Sequence, residues 1–302
     1  MFDTFKNRLE LSGTLWTVTA LRISQGRSLE PIGSDLPVVK DALGHPLIPG
    51  SSFKGAMRSR LESFLRGIDD NLAANPAIEE EWAIPSDVMK QLKEDHQNDA
   101  DLTRTIIGRT DLTSLLFGSP WMASKFQVRD LTVIRDSWFG QYQERDGVSI
   151  DRDTETAADG KLYDFQVVPA GTPFTFKAIV ENAEEWELGL LMIGLHQFET
   201  EQIPLGGGRS RGLGVVKLEI KEMRWIDVRR SDEPDRCDPA KMQDYLRHLI
   251  MEQETPVGEV VSPEQRKEWA SQFISSLQEH IDRLSQAKTT IEAAQSSSNQ
   301  AK

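Results

Sequence analysis

The sequence holds a single cysteine, Cys237, in 302 residues. No disulfide can close within the chain, and a structural zinc site built from several thiolates is excluded. Long hydrophobic runs are missing too. The longest, around Leu188–Leu195, is interrupted by Gly189 and Gly194 and is far shorter than the ~20 apolar residues that span a bilayer. The opening "MFDTFKNRLELSG" carries charges where a secretory signal has its apolar region. A cytoplasmic protein without a membrane partner is the expectation. The five histidines, His45, His96, His196, His248 and His280, show no metal-ligand spacing, and His196 lies in an apolar run where a core position is expected. No G-x-S-x-G elbow is present for a serine hydrolase.

A basic excess is also lacking: the net charge is −13. Nucleic-acid binding draws on Lys and Arg, so this total argues against it at first. Its distribution weakens the objection. Residues 67–104 carry ten acids against three bases and residues 231–302 thirteen against eight, both in segments that read as peripheral. Residues 1–66 hold nine bases against six acids. The charge balance leaves an RNA partner open.

What is present begins with a strand-like alternation over residues 9–24, followed by a loop rich in Gly, Pro and Asp. A helix is expected from Ser51 or Ser52, good N-caps after Pro49-Gly50, with Phe53, Met57, Leu61 and Phe64 as its buried stripe. Residues 67–112 are acidic and helix-prone, an insertion. Strand character returns over 125–136 and in "PFTFKAIVEN", where Phe174, Phe176, Ala178 and Val180 alternate. Residues 183–200 read as a largely buried helix and 215–225 as a strand. The order strand, helix, strand, strand, helix, strand is the split βαβ, ferredoxin-like arrangement. After residue 231 come a short helical piece and a last helix opened by Ser262-Pro263-Glu264-Gln265, a capping box with Pro at the first position.

The stretch "IPLGGGRSRGLGVVKLEI" packs five glycines and two arginines into nine residues. It is no P-loop, because Val215 and Val216 follow the last glycine where Lys and Ser or Thr are required. Nor is it a dinucleotide fingerprint, since Gly212 falls one place late and the loop runs from helix to strand. Glycines admit close approach of a phosphate chain, and Arg209 and Arg211 are forked donors suited to phosphate oxygens. The helix start "PGSSFKGAMRSR" has a related layout: free N–H groups, Ser51 and Ser52 hydroxyls, and Lys54 and Arg58 four apart on the face opposite the apolar stripe. Taken singly, these read as a tight turn with surface arginines and a solvated helix face; a ferredoxin-like core would bring them to one surface. Asp35, between Gly33 and Pro37, is a loop carboxylate that caps a turn or, beside RNA, takes a proton from a 2′-hydroxyl.

Four stretches, in order across about residues 10–225, resemble the backbone subunits of type III CRISPR-Cas effector complexes, the RAMP (repeat-associated mysterious protein) family. "PLIPGSSFKGAMRSRLE" is similar to their helix-entry signature and "DGVSIDRDTETAADGKLYDFQVVPAGTPFTF" to their β-hairpin thumb. "IPLGGGRSRGLGVVKL" is similar to their late glycine-rich loop, and "IGSDLPVVKDALGHPLIPGSS" to the loop whose Asp cuts target RNA. The resemblance implies an α+β, ferredoxin-like (RRM-like) core over 1–230, with the acidic helical insertion at 67–112 and a thumb hairpin at 137–170. A helical extension over 231–286 and a disordered tail over 287–302 complete the expected chain. It further implies guide-RNA binding and metal-dependent cleavage of target RNA at Asp35, leaving 2′,3′-cyclic phosphate and 5′-hydroxyl ends. Ser51, Ser52, Lys54, Arg58 and the loop Gly206, Gly207, Gly208, Arg209, Ser210, Arg211 and Gly212 would hold guide backbone. Mg²⁺ or another divalent ion is the implied cofactor, without zinc and without a visible protein cage. The implied partners are guide RNA, target RNA, neighbouring backbone subunits and other type III subunits. Two alternatives stand beside this: a non-catalytic structural subunit of the same complex, and a guide-processing endoribonuclease.

Overall fold

Residues 4–26, 35–147, 163–250 and 258–300 are described by the computed structural model, with side chains to residue 289. The start of the loop ahead of Asp35 and the middle of the 137–170 segment lie outside them. β1 (Asn7–Thr17) is followed by the short β2 (Leu47–Ile48), α1 (Gly50–Arg66) and a helical stretch of α2 (Ser86–Asp95), α3 (Asp99–Arg109) and α4 (Leu112–Phe117). Then come β3 (Phe126–Val128), β4 (Leu131–Thr132), the hairpin β5 (Gln143–Gly147) and β6 (Tyr163–Val167), β7 (Pro173–Glu181), α5 (Glu185–Glu199) and β8 (Val216–Asp227). α6 (Pro239–Ile250), β9 (Glu259–Val260) and α7 (Pro263–Gln300) end the chain.

The main sheet has the antiparallel order β3-β7-β1-β8-β9. Without the edge strand β9 this is the ferredoxin-like order, with α1 and α5 as its two crossover helices. Alternation decides which face they cover. Leu9, Leu11 and Leu15 of β1 and Phe174, Phe176, Ala178 and Val180 of β7 all point to one side and are buried. Phe53 of α1 sits among them, its ring 5.1 Å from Phe176 and 4.2 Å from Phe198 of α5.

Several expectations shift in detail. The first strand ends at Thr17; Leu21 and Ser24 make single bridges only. The α1 stripe continues through Leu65, while Phe64 is partly exposed under the Arg60 guanidinium. His196 is on the solvent side of α5, 3.4 Å from Glu199, because it falls on the face of the last turn opposite the buried Phe198. α7 is not peripheral: Trp269, Phe273 and Leu284 belong to the main core, and α7 crosses α5 so closely that a Cβ on Gly189 would stand 2.1 Å from the Trp269 carbonyl oxygen. Helical geometry also runs through residues 287–300, where composition suggests a disordered tail. Extending an existing helix costs little when Ala, Gln and Glu follow.

Candidate nucleic-acid interface

Asp35 opens an extended segment held on both sides. Toward the hairpin, the Leu36 N–H donates to Asp164 O at 3.2 Å and the Gln166 N–H to Leu36 O at 3.1 Å. On the other side, Val39 N–H donates to Ile23 O at 2.9 Å and Gln25 N–H to Pro37 O at 3.0 Å. Pro37 has no N–H to leave unpaired there. The half-buried Asp35 carboxylate accepts the Asp164 N–H at 3.3 Å, which ties it to the root of the hairpin. Asp164 pairs across the hairpin with Asp146; their shared hydrogen bond, with the Asp146, Asp35 and Glu144 charges nearby, holds the Asp164 carboxyl above the usual range.

The glycine-rich loop docks on the neighbouring segment. Gly207 N–H donates to Arg22 O at 2.8 Å, Gly214 N–H to Ala20 O at 2.9 Å, and Leu205 N–H to Gly214 O at 2.8 Å. Residues Arg209–Arg211 form one 3₁₀ turn between left-handed Gly208 and Gly212. Arg209, Ser210 and Arg211 are exposed. Arg209 Nε bonds Gly206 O at 3.1 Å, and Arg211 Nη1 donates to the Tyr163 hydroxyl at 3.0 Å. Arg211 and then Arg22 lower the Tyr163 phenol pKa, and the Arg22 guanidinium lies 4.5 Å over the Phe165 ring. Tyr163 and Asp164 are adjacent on β6, so one strand links the arginine loop to Asp35. Arg22, Tyr163 and Asp164 went unread in the sequence; the latter two sit in a polar run with no periodic signal.

The α1 start is organised differently. The helix begins at Gly50 after Pro49, one residue before the expected caps, and neither serine hydroxyl caps it. Asp130, from the turn between β3 and β4, accepts the Gly50 N–H at 2.8 Å, so a carboxylate already occupies the positive end of the helix. Ser51 is exposed and Ser52 half-buried. Lys54 Nζ donates to Ser124 Oγ at 2.7 Å; burial, with Arg58 beside it, holds its ammonium below the ordinary pKa. Arg58 bonds Glu62 Oε1 at 2.7 Å, Gly118 O at 2.9 Å and Ser114 Oγ at 3.3 Å. The face expected in solvent is therefore packed against α4 and the segment after it. The glycine-rich loop has its partners in residues 20–22 and β6, and the α1 start in residues 114–130.

Among the described residues no group of three or more His, Cys, Asp or Glu side chains is arranged to hold a metal ion, so a protein cage for the implied divalent ion is not formed by them. No described helix is long and apolar enough to cross a membrane.

A ferredoxin-like sheet, an inserted hairpin and a late glycine-rich loop before the last core strand together define a class of fold, and the family comparison agrees with it. Residues 14–217 match the model of the RAMP superfamily, and the chain belongs to that superfamily. Among curated proteins it is similar to the "CRISPR system Cms endoribonuclease Csm3" of Enterococcus italicus, 25% identical over 225 residues, covering 71% of this chain and 91% of the relative. The protein of the same name from Methanocaldococcus jannaschii is 26% identical over 228 residues, covering 71% and 80%. That of Streptococcus thermophilus is 27% identical over 215 residues, covering 70% and 87%.

Proposed function

We propose that this chain is a backbone subunit of a type III CRISPR effector complex, holding guide RNA and cleaving complementary target RNA with Asp35. Kinship with proteins named Csm3 endoribonucleases supports the ribonuclease activity. The observation that carries the site is the clamping of the Asp35 segment at the hairpin root, one residue along β6 from the Tyr163–Arg211 contact. In this reading Asp35 takes the proton of a 2′-hydroxyl, whose oxygen attacks the adjoining phosphorus. The bond to the 5′-oxygen breaks, that oxygen leaves with the electron pair and takes a proton from solvent. A 2′,3′-cyclic phosphate and a 5′-hydroxyl result. Arg209 and Arg211 position phosphates.

One observation favours the non-catalytic alternative: the Asp35 carboxylate already serves the fold by accepting the Asp164 N–H. Asp35→Asn separates the two, because an amide oxygen keeps that bond while losing the base. In the assembled complex with labelled target, Asp35→Asn is expected to slow cutting by about 10²–10⁴-fold, the usual worth of a general base, with target affinity unchanged. Wild-type cutting by this variant at the position the subunit covers would sink the catalytic role. Loss of affinity along with cutting would make Asp35 a structural residue.

A further inference from the structure

Nucleobases bind single-stranded RNA readers by stacking on exposed rings. Over its middle, the open face of this sheet offers ion pairs instead: Arg8 with Glu10 and Glu181, each at 2.8 Å, and Arg224 with Glu222 at 2.5 Å. Trp16, in the same row of β1, is bonded through its indole N–H to Glu219 at 3.0 Å. A stacking surface has to come from another part of the molecule.

Aromatic rings gather at the root of the hairpin. Trp138 lies 5.1 Å from Tyr142 and 5.5 Å from Phe139, ring centre to ring centre. Trp138 and Tyr142 are partly buried against the main core, which fixes them, whereas Phe139 is 64% exposed. Gly140 follows at φ 80°, turning the chain directly after the exposed ring. The cluster is tied to the loop that Asp35 opens. The Tyr142 hydroxyl donates to Gly44 O at 2.7 Å, and Lys40 Nζ stands 4.4 Å over the Tyr142 ring. Burial, with Asp41 nearby, pushes the Tyr142 phenol up to about 12, so it stays a neutral donor. His45 closes the same loop through its bond to Asp41, 3.2 Å away. An exposed ring on a fixed aromatic base, with an ammonium over the Tyr142 ring of that base, matches the two things a single-stranded nucleotide presents: a flat π-face and an anionic phosphate.

We propose that Phe139, backed by Trp138 and Tyr142, is a stacking platform for one unpaired base of the bound RNA, and that Lys40 holds the adjoining phosphate. The inference rests on the RNA-binding function proposed above and adds to it the residues that would read base stacking, tied to the loop that Asp35 opens. Stacking and charge respond to different variables, which makes the two roles separable. Stacking tolerates salt, whereas each phosphate contact to a single strand contributes about 0.7 to the slope of log affinity against log salt.

The test uses the full-length chain and a single-stranded oligoribonucleotide bearing 2-aminopurine, with affinity and fluorescence followed across a salt series. Phe139→Ala is expected to weaken binding by about 5- to 150-fold, without changing the salt slope and with loss of 2-aminopurine quenching. Phe139→Trp should bind as the wild type does, and Phe139→Leu should fall close to Phe139→Ala. Lys40→Gln should reduce the slope by about 0.7 and leave the quenching in place. Wild-type affinity in Phe139→Ala overturns the platform alone and leaves RNA binding standing. Wild-type affinity in Phe139→Leu means that an apolar contact, as with a protein partner, is being made instead. Absence of RNA binding by the wild-type chain overturns the functional reading together with the platform.

Discussion

The glycines of the 206–214 loop are not equivalent, and alanine substitutions should rank them. Gly206 sits at φ 74°, and a Cβ there would stand 2.0 Å from the carbonyl oxygen of Arg22. That oxygen also accepts the Gly207 N–H at 2.8 Å. Alanine at 206 therefore carries left-handed strain of about 1–2 kcal/mol. It also drives the loop off its seat, forfeiting a hydrogen bond worth about 0.5–1.5 kcal/mol. With some loosening of Leu213 from Phe165 and Val167, the sum is about 2–4 kcal/mol. Gly212 has the same kind of backbone, φ 78°, but no atom within 4 Å of the added methyl, so only the strain of about 1–2 kcal/mol remains. Gly207 has open space and no left-handed requirement, and Gly207→Ala should be neutral or slightly stabilising. Urea denaturation of the full chain at constant m-value measures the series, and in a thermal melt Gly206→Ala should lower Tm by roughly 3–6 °C. RNA affinity should rank differently. The methyls at 207 and 212 enter the open space that a phosphate would use, so these variants lose affinity out of proportion to stability. If Gly207→Ala is as unstable as Gly206→Ala, the seat on Arg22 is not what the loop needs glycine for.

Two further predictions concern stability. Lys125 and Glu187 form a buried ion pair, Nζ to Oε1 2.7 Å, with side chains 8% and 1% exposed, and Glu187 also accepts the Glu184 N–H at 2.7 Å to cap α5. Lys125→Met leaves a buried carboxylate unpaired and should cost about 3–5 kcal/mol. Adding Glu187→Leu should recover all but the cap's ~1 kcal/mol; a single-variant loss below ~1 kcal/mol in urea titration would show that the pair is not closed off from water. His280, buried on α7 with its ring 4.5 Å from Trp186, is held below the ordinary imidazole pKa by burial and then by Arg283, with Glu279 opposing. The unfolded chain therefore takes up this proton first, and stability should fall as pH drops below ~6.5. In His280→Leu that contribution should vanish, and an unchanged pH profile would exclude His280 as its source.

Legibility followed the range of each signal. The β7 alternation is local, so its buried face could be read directly from Phe174 to Val180. The middle of α5, from Leu188 to Leu195, is apolar nearly all round, which requires a second cover beyond the sheet. The cover itself, α7, could not be assigned, because Trp269 and Phe273 look like the single face of an outlying helix. β9 is two residues long and carries no periodicity at all. At the candidate site, loop chemistry and spacing singled out the arginine loop, whereas for Asp35 they gave no more than a turn cap, and its cutting role came from the family resemblance. Their connection through Tyr163 and Asp164 was not legible, because it depends on strand pairing across a sequence gap of more than a hundred residues. Arg58 shows the opposite failure: an i,i+4 pattern gives the face of a helix, but not whether solvent or an insertion covers that face.

That last point decides where RNA charge can be met on a chain of net charge −13. Within a Debye length of ~10 Å, local cations that are not already neutralised matter more than the total. Arg58 is engaged by Glu62, and the α1 N-terminus by Asp130, so a phosphate there would have to displace a carboxylate or share donors with it. Arg209 and Arg211 are in another position. Their described partners are a backbone carbonyl and a phenol, acceptors that orient a guanidinium without cancelling its charge. Each fork keeps further N–H donors for a phosphate and is already ordered, which reduces the entropy lost on binding. The glycine-rich loop thus offers preorganised, uncompensated positive charge, joined through one strand to a carboxylate that can take a proton. The α1 start, similar in composition, has already turned most of that capacity inward, onto α4 and the segment up to Asp130.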